Sequence, residues 1–256
     1  MKLTTTAYYN EIDPYAAQWL RNLIAAGHIA PGDVDERSIE DVHPDDLKHY
    51  TQCHFFAGIG VWSLALRRAG WPDDRPVWTG SCPCQPFSSA GQGAGFDDPR
   101  HLWPSWAWLI DKLRPATIFG EQVARAPDWV RLVRGDLVAM GYAVGGIPIE
   151  AACADSYSPR ERFFLVADAN GVGRKESRLQ ASRSSSKDQG RQTDIPRDAG
   201  QIGFVECLDG KRRPIEPGTF PLADEYPNRV EQLRAYGNAI NAEAATQFIA
   251  AYMEAA

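Results

Sequence analysis

Apolar positions in the front half of the chain fall alternately in short runs and at helical spacing, which predicts an α/β fold with a mostly parallel sheet. TAYYN predicts a strand ending at Glu11, and Asp13 can then cap a helix whose first position is Pro14. Ala16, Trp19, Leu20, Leu23 and Ile24 follow on one helical face, which should pack on the sheet. Gly27 marks the end of that helix, and IAPGDV reads as a short second strand. TQCHFFAGIG is an apolar strand running into a glycine turn, WSLALRRAGW the helix after it, and PVWTG the next strand. Residues 102–113 predict an aromatic-rich helix, ATIFG a strand, 127–140 another helix, and YAVGGIPIEAA and RFFLVAD the last strands. A helix over about 239–254 closes the pattern, with Ile240, Ala244, Phe248 and Tyr252 on one face.

The pattern breaks at Asn170. Residues 170–201 are rich in Ser, Arg, Gln and Gly and nearly devoid of large apolar side chains, as expected of a loop rather than a core element. Order is expected to return by GFVECLDGKRRPIEPGTFPL. The organisation expected is therefore a main domain over 1–169, a short, partly disordered region over 170–228, and a segment over 229–256 packing back on the main domain.

Composition narrows the function classes. Hydrophobic content of 44% is ample for a buried core, and no apolar run approaches the roughly 18 residues of a membrane span. The N-terminus lacks the regions of a signal peptide, and the five cysteines, at 53, 82, 84, 153 and 207, read as reduced thiols in a cytoplasmic protein. A net charge of −6 and a pI near 5.4 argue against a generally basic nucleic-acid binder. Charge is uneven, however: residues 1–50 hold four Lys/Arg against nine Asp/Glu, and residues 170–213 hold ten against six. A polyanion could approach such a protein from one side.

The chemistry concentrates in TGSCPCQPFSSAG, residues 79–91. Its two cysteines, Cys82 and Cys84, could be a metal clip, a redox pair, or one nucleophile beside a spectator. Zinc needs about four ligands, which the scattered cysteines and the five histidines are not spaced to supply. A disulfide across one residue would be strained, and redox pairs usually read C-x-x-C. A single nucleophile on a loop after a strand is the best chemical option, with a buried inert cysteine as its competitor. FAGIG at 56–60 allows close approach of a ligand to the backbone, but no full G-x-G-x-x-G is present. Glu11, ending a strand, could bind the ribose hydroxyls of a nucleoside cofactor, and Asp33 an adenine amino group. An ordinary solvated acid or helix cap is the bland alternative for each.

PCQPFS, FAGIG, GEQV, SPRERFFLVAD and AYGNAI together resemble the DNA cytosine-C5 methyltransferases, which use S-adenosylmethionine. NEIDPYA and PGDV are similar to that family's second and third cofactor motifs. The resemblance implies a doubly wound, mostly parallel, Rossmann-like methyltransferase sheet with a small irregular recognition appendage. It implies Cys84 as the thiolate that adds to cytosine C6, Glu121 as the acid at N3, and Arg162 with Arg160 holding the base's O2 and the adjacent backbone. It places Phe56, Ala57, Gly58, Ile59, Gly60, Glu11, Ile12, Asp33, Val34, Pro83 and Asn238 beside the cofactor. Gln85, Ser88 and Arg100 fall to the DNA side, on a loop suited to closing over substrate and touching phosphate. No metal is implied. The partner would be double-stranded DNA whose target base leaves the helix, and the protein a monomer in the cytoplasm of a bacterium or phage-infected host. Arg174, Lys175, Arg178 and Arg183 would attract phosphate more than read bases. Two other readings stand beside this one: an RNA cytosine-C5 methyltransferase, and a non-catalytic DNA-binding relic of the fold.

The chain departs from the family pattern in three ways. NEIDPYA and GDV precede FAGIG, whereas the family begins with the glycine motif, so the motifs are permuted while the strands can keep their places. Val61 stands where a further glycine is usual, Ile12 where an aromatic may stack on adenine, Gln122 where asparagine is commoner, and Ser158 in place of glutamine. The region available for target recognition is short.

Overall fold

The computed structural model describes residues 6–83, 102–124, 126–150, 161–171, 203–206, 212–215 and 239–255. The chain divides into two compact units, Met1–Arg174 with Glu231–Ala256, and Lys175–Val230. The first holds β1 (Ala7–Asn10), α1 (Pro14–Ala25), β2 (Gly32–Asp35), the short α2 (Pro44–Leu47), β3 (Gln52–Phe55), α3 (Val61–Arg68), β4 (Val77–Gly80), α4 (Trp103–Leu113), β5 (Thr117–Val123), α5 (Pro127–Ala139), β6 (Ala143–Glu150) and β7 (Glu161–Asp168). In the second, β8 (Gly203–Glu206) and β9 (Arg212–Ile215) pair as an antiparallel hairpin where order was expected to return. The last helix, α6 (Ala242–Ala255), belongs to the first unit.

Seven strands form one sheet in the order β2-β1-β3-β4-β5-β7-β6, parallel except for the two pairs that β7 makes. Its faces follow from the period-2 alternation of side chains. Tyr8, Cys53, Phe55, Trp78 and Ile118 face α2, α4 and α5, in a cluster rich in tryptophan. On the opposite face Val77, Phe119 and Phe164 pack under α3 and α6, and Ala7 and Tyr9 under α1, with Leu64 of α3 joining the two groups. The sheet is thus covered on both faces, as expected of a doubly wound fold.

The permuted motif order has a topological consequence. The steps β1→β2 and β3→β4 run in opposite directions across the sheet, yet α1 and α3 cover the same face. Two such units must have opposite hands. The steps β2→β3 and β4→β5, over the other face, share the hand of β1→β2. Parallel crossovers are right-handed in about 98% of cases, which leaves β3-α3-β4 as the left-handed one. A buried polar triangle ties α3 down: the Tyr9 hydroxyl donates to the Ala30 carbonyl at 2.7 Å and lies 3.0 Å from Ser63 Oγ, which accepts from Ala30 N–H at 3.1 Å.

Element boundaries differ from the sequence reading where pairing or capping decides them. ATIFG was expected to end the fifth strand, but β5 runs on through Val123. Its parallel partner stops at the Gly80↔Gly120 pair, while the antiparallel pairing with β7 continues to Val123↔Arg162. The last helix begins at Ala242 instead of 239, because the Asn241 side chain accepts from Ala244 N–H at 2.8 Å and acts as its cap. At the first helix, Asp13 Oδ1 accepts from Tyr15 and Ala16 N–H, and Pro14 takes the first helical position, both as expected.

His54, in β3, is fully buried. Its Nδ1 lies 2.8 Å from Thr79 Oγ1 and its ring stacks on Tyr9 with centroids 4.8 Å apart. Its Nε2 has no partner among the described residues. Burial pushes its pKa down from 6.5 to about 3. An imidazole held neutral in this way contributes stability that is full above pH 6.5 and is lost as pH falls from there towards 3. Between pH 7.5 and 5.5 the loss is expected to reach about 1.4 kcal/mol. Urea unfolding at the two pH values should record it in the wild type and a smaller difference in His54→Gln.

Candidate active site at the carboxyl edge of the sheet

The parallel strands deliver their following loops to one edge. Asn10, Asp35, Phe55 and Gly80 are the last paired residues of β1, β2, β3 and β4, so Glu11, the 56–60 turn and residues 81–83 emerge together. Gly80 pairs with Gly120, which brings Glu121 and Gln122 to the same level.

The 56–60 turn is built around left-handed backbone. Phe56 (φ 52°), Gly58 (φ 54°) and Gly60 (φ 80°) all have positive φ, and for Phe56 this conformation costs on the order of 1 kcal/mol. The turn is fixed from both sides: Ala57 N–H donates to the Asn10 carbonyl at 3.0 Å, and Gly60 N–H to the Ala57 carbonyl at 2.9 Å. At Gly60, which precedes α3, an added Cβ would meet Leu20 and Ile29 side chains at 3.0 and 3.1 Å. Beside Gly58 an added Cβ would meet nothing within 4 Å, so this part of the turn faces open space.

Glu11 joins that turn to α1. Its Oε2 accepts from Gly58 N–H at 2.7 Å and its Oε1 from Asp13 N–H at 2.9 Å. Ile12, next in the chain, is 65% exposed at the same edge. A carboxylate held by backbone donors, an open glycine turn and an exposed apolar side chain thus share this edge. Phe56, Ala57, Gly58, Ile59, Gly60, Glu11 and Ile12 are therefore brought together. Asp33 and Val34 are not. Asp33 pairs with Tyr8, two levels below Asn10, and its Oδ2 accepts from the Tyr50 hydroxyl at 2.7 Å. Val34 packs under α1. Asp35 is the acid at the edge on β2, but Tyr8 and Arg37 engage it: the Tyr8 hydroxyl donates to it at 2.7 Å, and it pairs with Arg37 at the same distance. The Arg37 partnership holds its carboxyl below the usual range against the opposing effect of burial.

Glu121 and Arg162 meet by strand register. Val123 pairs with Arg162 and Glu121 with Phe164, so Glu121 and Arg162 are diagonal neighbours on one face of an antiparallel pair. Arg162 Nε lies 2.8 Å from Glu121 Oε1, with side-chain exposures of 20% and 8%. Arg162 Nη1 also donates to the Glu161 carbonyl at 3.0 Å.

Residues 81–83 leave the sheet beside this pair. Trp62 Nε1 donates to Ser81 Oγ at 3.1 Å, and Gln122 Nε2 to the Cys82 carbonyl at 3.3 Å. Gln122 Oε1 in turn accepts from Val123 N–H at 2.9 Å, beyond the point where β4 stops. The Cys82 side chain is buried in the tryptophan-rich cluster and Pro83 is half-buried. Cys84, Gln85, Ser88, Arg100, Arg160 and Asn238 lie outside the described residues. Sequence reasoning singled out Glu121, Arg162 and the glycine turn as candidates, and did not single out Trp62 or the Gln122–Cys82 bond. Trp62 beside Val61, at a point where the family carries glycine, was the available signal. Among the described residues no group of three or more His, Cys, Asp or Glu could hold a metal ion, and no helix is long and apolar enough to cross a membrane.

The type II methyltransferase M.HgiBI of Herpetosiphon aurantiacus is 26% identical over 147 residues, 46% of this chain. The chain spans 34% of that relative's length. Among solved structures, a variant of Spodoptera frugiperda DNMT2 superposes with a TM-score of 0.45 at 16% identity, over 65% of this chain and 43% of that one. The S. pombe Dnmt2 methyltransferase gives 0.40 at 15%, over 65% and 51%. The family model for C-5 cytosine-specific DNA methylase matches residues 71–206, which contain the PCQPFS segment, the Glu121 strand and the Arg162 strand. With more than half of its length matched in this way, the chain belongs to the C-5 cytosine-specific DNA methylases.

Proposed function

We propose that this protein methylates C5 of cytosine in DNA, using S-adenosylmethionine and a covalent bond between Cys84 and C6 of the base. The observation that carries the reading is the Glu121–Arg162 ion pair, which shares the carboxyl edge with the exit towards Cys84 and with the Glu11–Gly58 cradle. Cytosine C5 is a poor nucleophile until something adds at C6. The Cys84 thiolate adds there while Glu121, a carboxylate that takes up a proton as the base docks, hydrogen-bonds N3 and gives that proton up as negative charge develops on the ring. Arg162 pairs with Glu121, and Arg162 with Arg160 is assigned to the base's O2 and the adjacent backbone. S-Adenosylmethionine, when bound, supplies the electrophilic methyl group. Glu11 would hold its ribose, the 56–60 turn its amino-acid end and Ile12 its adenine face, with Pro83 beside them and Asn238 from the last motif. Removal of the C5 proton then expels the cysteine and restores the ring. Gln85, Ser88 and Arg100 are assigned to the flipped base and its phosphates.

The DNA reading is favoured by the matched family and by the relative's name as a type II methyltransferase. Incubation with methyl-labelled cofactor and either duplex DNA or transfer RNA tests it. Label is expected in DNA, acid-stable and at cytosine. Label only in RNA would overturn the choice of substrate.

A further inference from the structure

We propose that Trp62 and Gln122 are positioning residues for the nucleophile: together they clamp Ser81 and Cys82, the exit of β4 that leads to Cys84. The inference rests on Cys84 being the nucleophile.

The sheet stops holding this segment at Gly80, and residues 81–83 have no regular secondary structure. Two side chains from different elements take over. The Trp62 indole reaches from the first turn of α3 to Ser81 Oγ at 3.1 Å. The Gln122 amide reaches from β5 to the Cys82 carbonyl at 3.3 Å. Both donors are themselves fixed. The Trp62 ring is buried and stacks on Phe119 (centroids 6.2 Å apart, 21° between planes), with Phe164 meeting it edge-on at 6.1 Å. Gln122 is 2% exposed, and its amide is oriented by the Val123 N–H. Pro83 adds its own restriction by biasing Cys82 to extended backbone. The clamp therefore links three parts of the candidate site. Trp62 follows the glycine turn by two residues, Gln122 adjoins Glu121, and the segment they hold ends at Cys82, two residues before Cys84. A misplacement of about 1 Å at a reacting atom can lower a rate by about 10²-fold, so two hydrogen bonds here can matter to rate without touching substrate.

The test uses Trp62→Phe, which keeps a ring but loses the donor, Ser81→Ala, which removes the acceptor, and Ser81→Thr, which keeps a hydroxyl. Gln122→Leu removes the second bond. Trp62→Phe, Ser81→Ala and Gln122→Leu are each expected to lower kcat by about tenfold while KM for the cofactor stays within about twofold. Ser81→Thr should restore most of the rate. The double variant Trp62→Phe, Ser81→Ala should be no slower than the worse single variant, because only one bond is lost. A second readout needs no methyl transfer: the rate of Cys84 alkylation by iodoacetamide, located by mass spectrometry, should change at least about threefold in the same variants and return in Ser81→Thr. If the wild type methylates nothing, the functional reading fails, and the clamp is still judged by alkylation. Unchanged alkylation and kcat in all the variants would overturn the clamp. So would additive losses in the double variant, or a rise in cofactor KM matching each fall in kcat.

Discussion

Cys84→Ser is expected to lose methyl transfer by at least roughly 10³-fold and to form no denaturation-resistant adduct with DNA containing 5-fluorocytosine, whereas Cys82→Ser should keep its rate within a few-fold. The asymmetry has a physical basis. Attack at C6 needs an anion, and a thiol ionises near pH 8.5 or below when assisted, whereas a serine hydroxyl in the same place has no comparable anion at neutral pH. Fluorine at C5 cannot leave as a proton does, so the wild-type enzyme should stop at the covalent stage and the adduct should survive sodium dodecyl sulfate. Cys82 stands differently. Its side chain is buried in the cluster that contains Trp78, Trp103 and Trp106, and its carbonyl oxygen, which accepts from Gln122, is retained in serine. Cys82→Ser places a hydroxyl in an apolar cluster and should lower stability by about 1–2 kcal/mol, visible in urea unfolding but not in the single-turnover rate. An adduct that persists in Cys84→Ser would show that another residue is the nucleophile. A loss in Cys82→Ser as complete as in Cys84→Ser would restore the idea of a working cysteine pair.

The sheet was legible because its signals are local. YYN before NEID, CHFF before AGIG and VWTG before SCPC each announce a strand that ends in polar or glycine-rich residues, and these strands are β1, β3 and β4. The ends of β5 and α6 were not legible, because they depend on an antiparallel partner forty residues away in one case and on a side-chain cap in the other. Glu121 and Arg162 could be singled out by resemblance, but their contact comes from strand register, which no single segment encodes. Asp33 shows the same limit. PGDV looks like a cofactor motif, yet the pairing of β2 with β1 sets Asp33 level with Tyr8, and the Tyr50 hydroxyl from the loop before β3 takes its carboxylate. The motif permutation was readable from order alone. That it leaves β3-α3-β4 with the opposite hand required knowing which face α3 covers.

Arg162→Ala is expected to destabilise the fold and to stop catalysis, while Glu121→Gln should stop catalysis with little effect on stability. Glu121 is almost fully buried and its carboxylate lies 2.8 Å from the guanidinium. Removing the arginine takes a charged partner from a carboxylate in a poorly solvated place. Breaking such a pair typically costs 3–5 kcal/mol, and the partial exposure of Arg162 reduces the expected loss to about 2–4 kcal/mol. Glutamine in place of Glu121 keeps the shape and an oxygen that can still accept from Arg162, so unfolding free energy should change by about 1 kcal/mol or less. It cannot supply a proton at N3, and loss of a general acid lowers rates by about 10²–10⁴-fold. The double variant Glu121→Gln, Arg162→Ala should then be more stable than Arg162→Ala alone, because the buried charge is gone. Urea unfolding of the four proteins at pH 7.5, beside single-turnover methylation, separates the two roles. If Arg162→Ala unfolds like the wild type, the pair does not hold Glu121 in place. If Glu121→Gln methylates at the wild-type rate, proton donation at N3 belongs to another group.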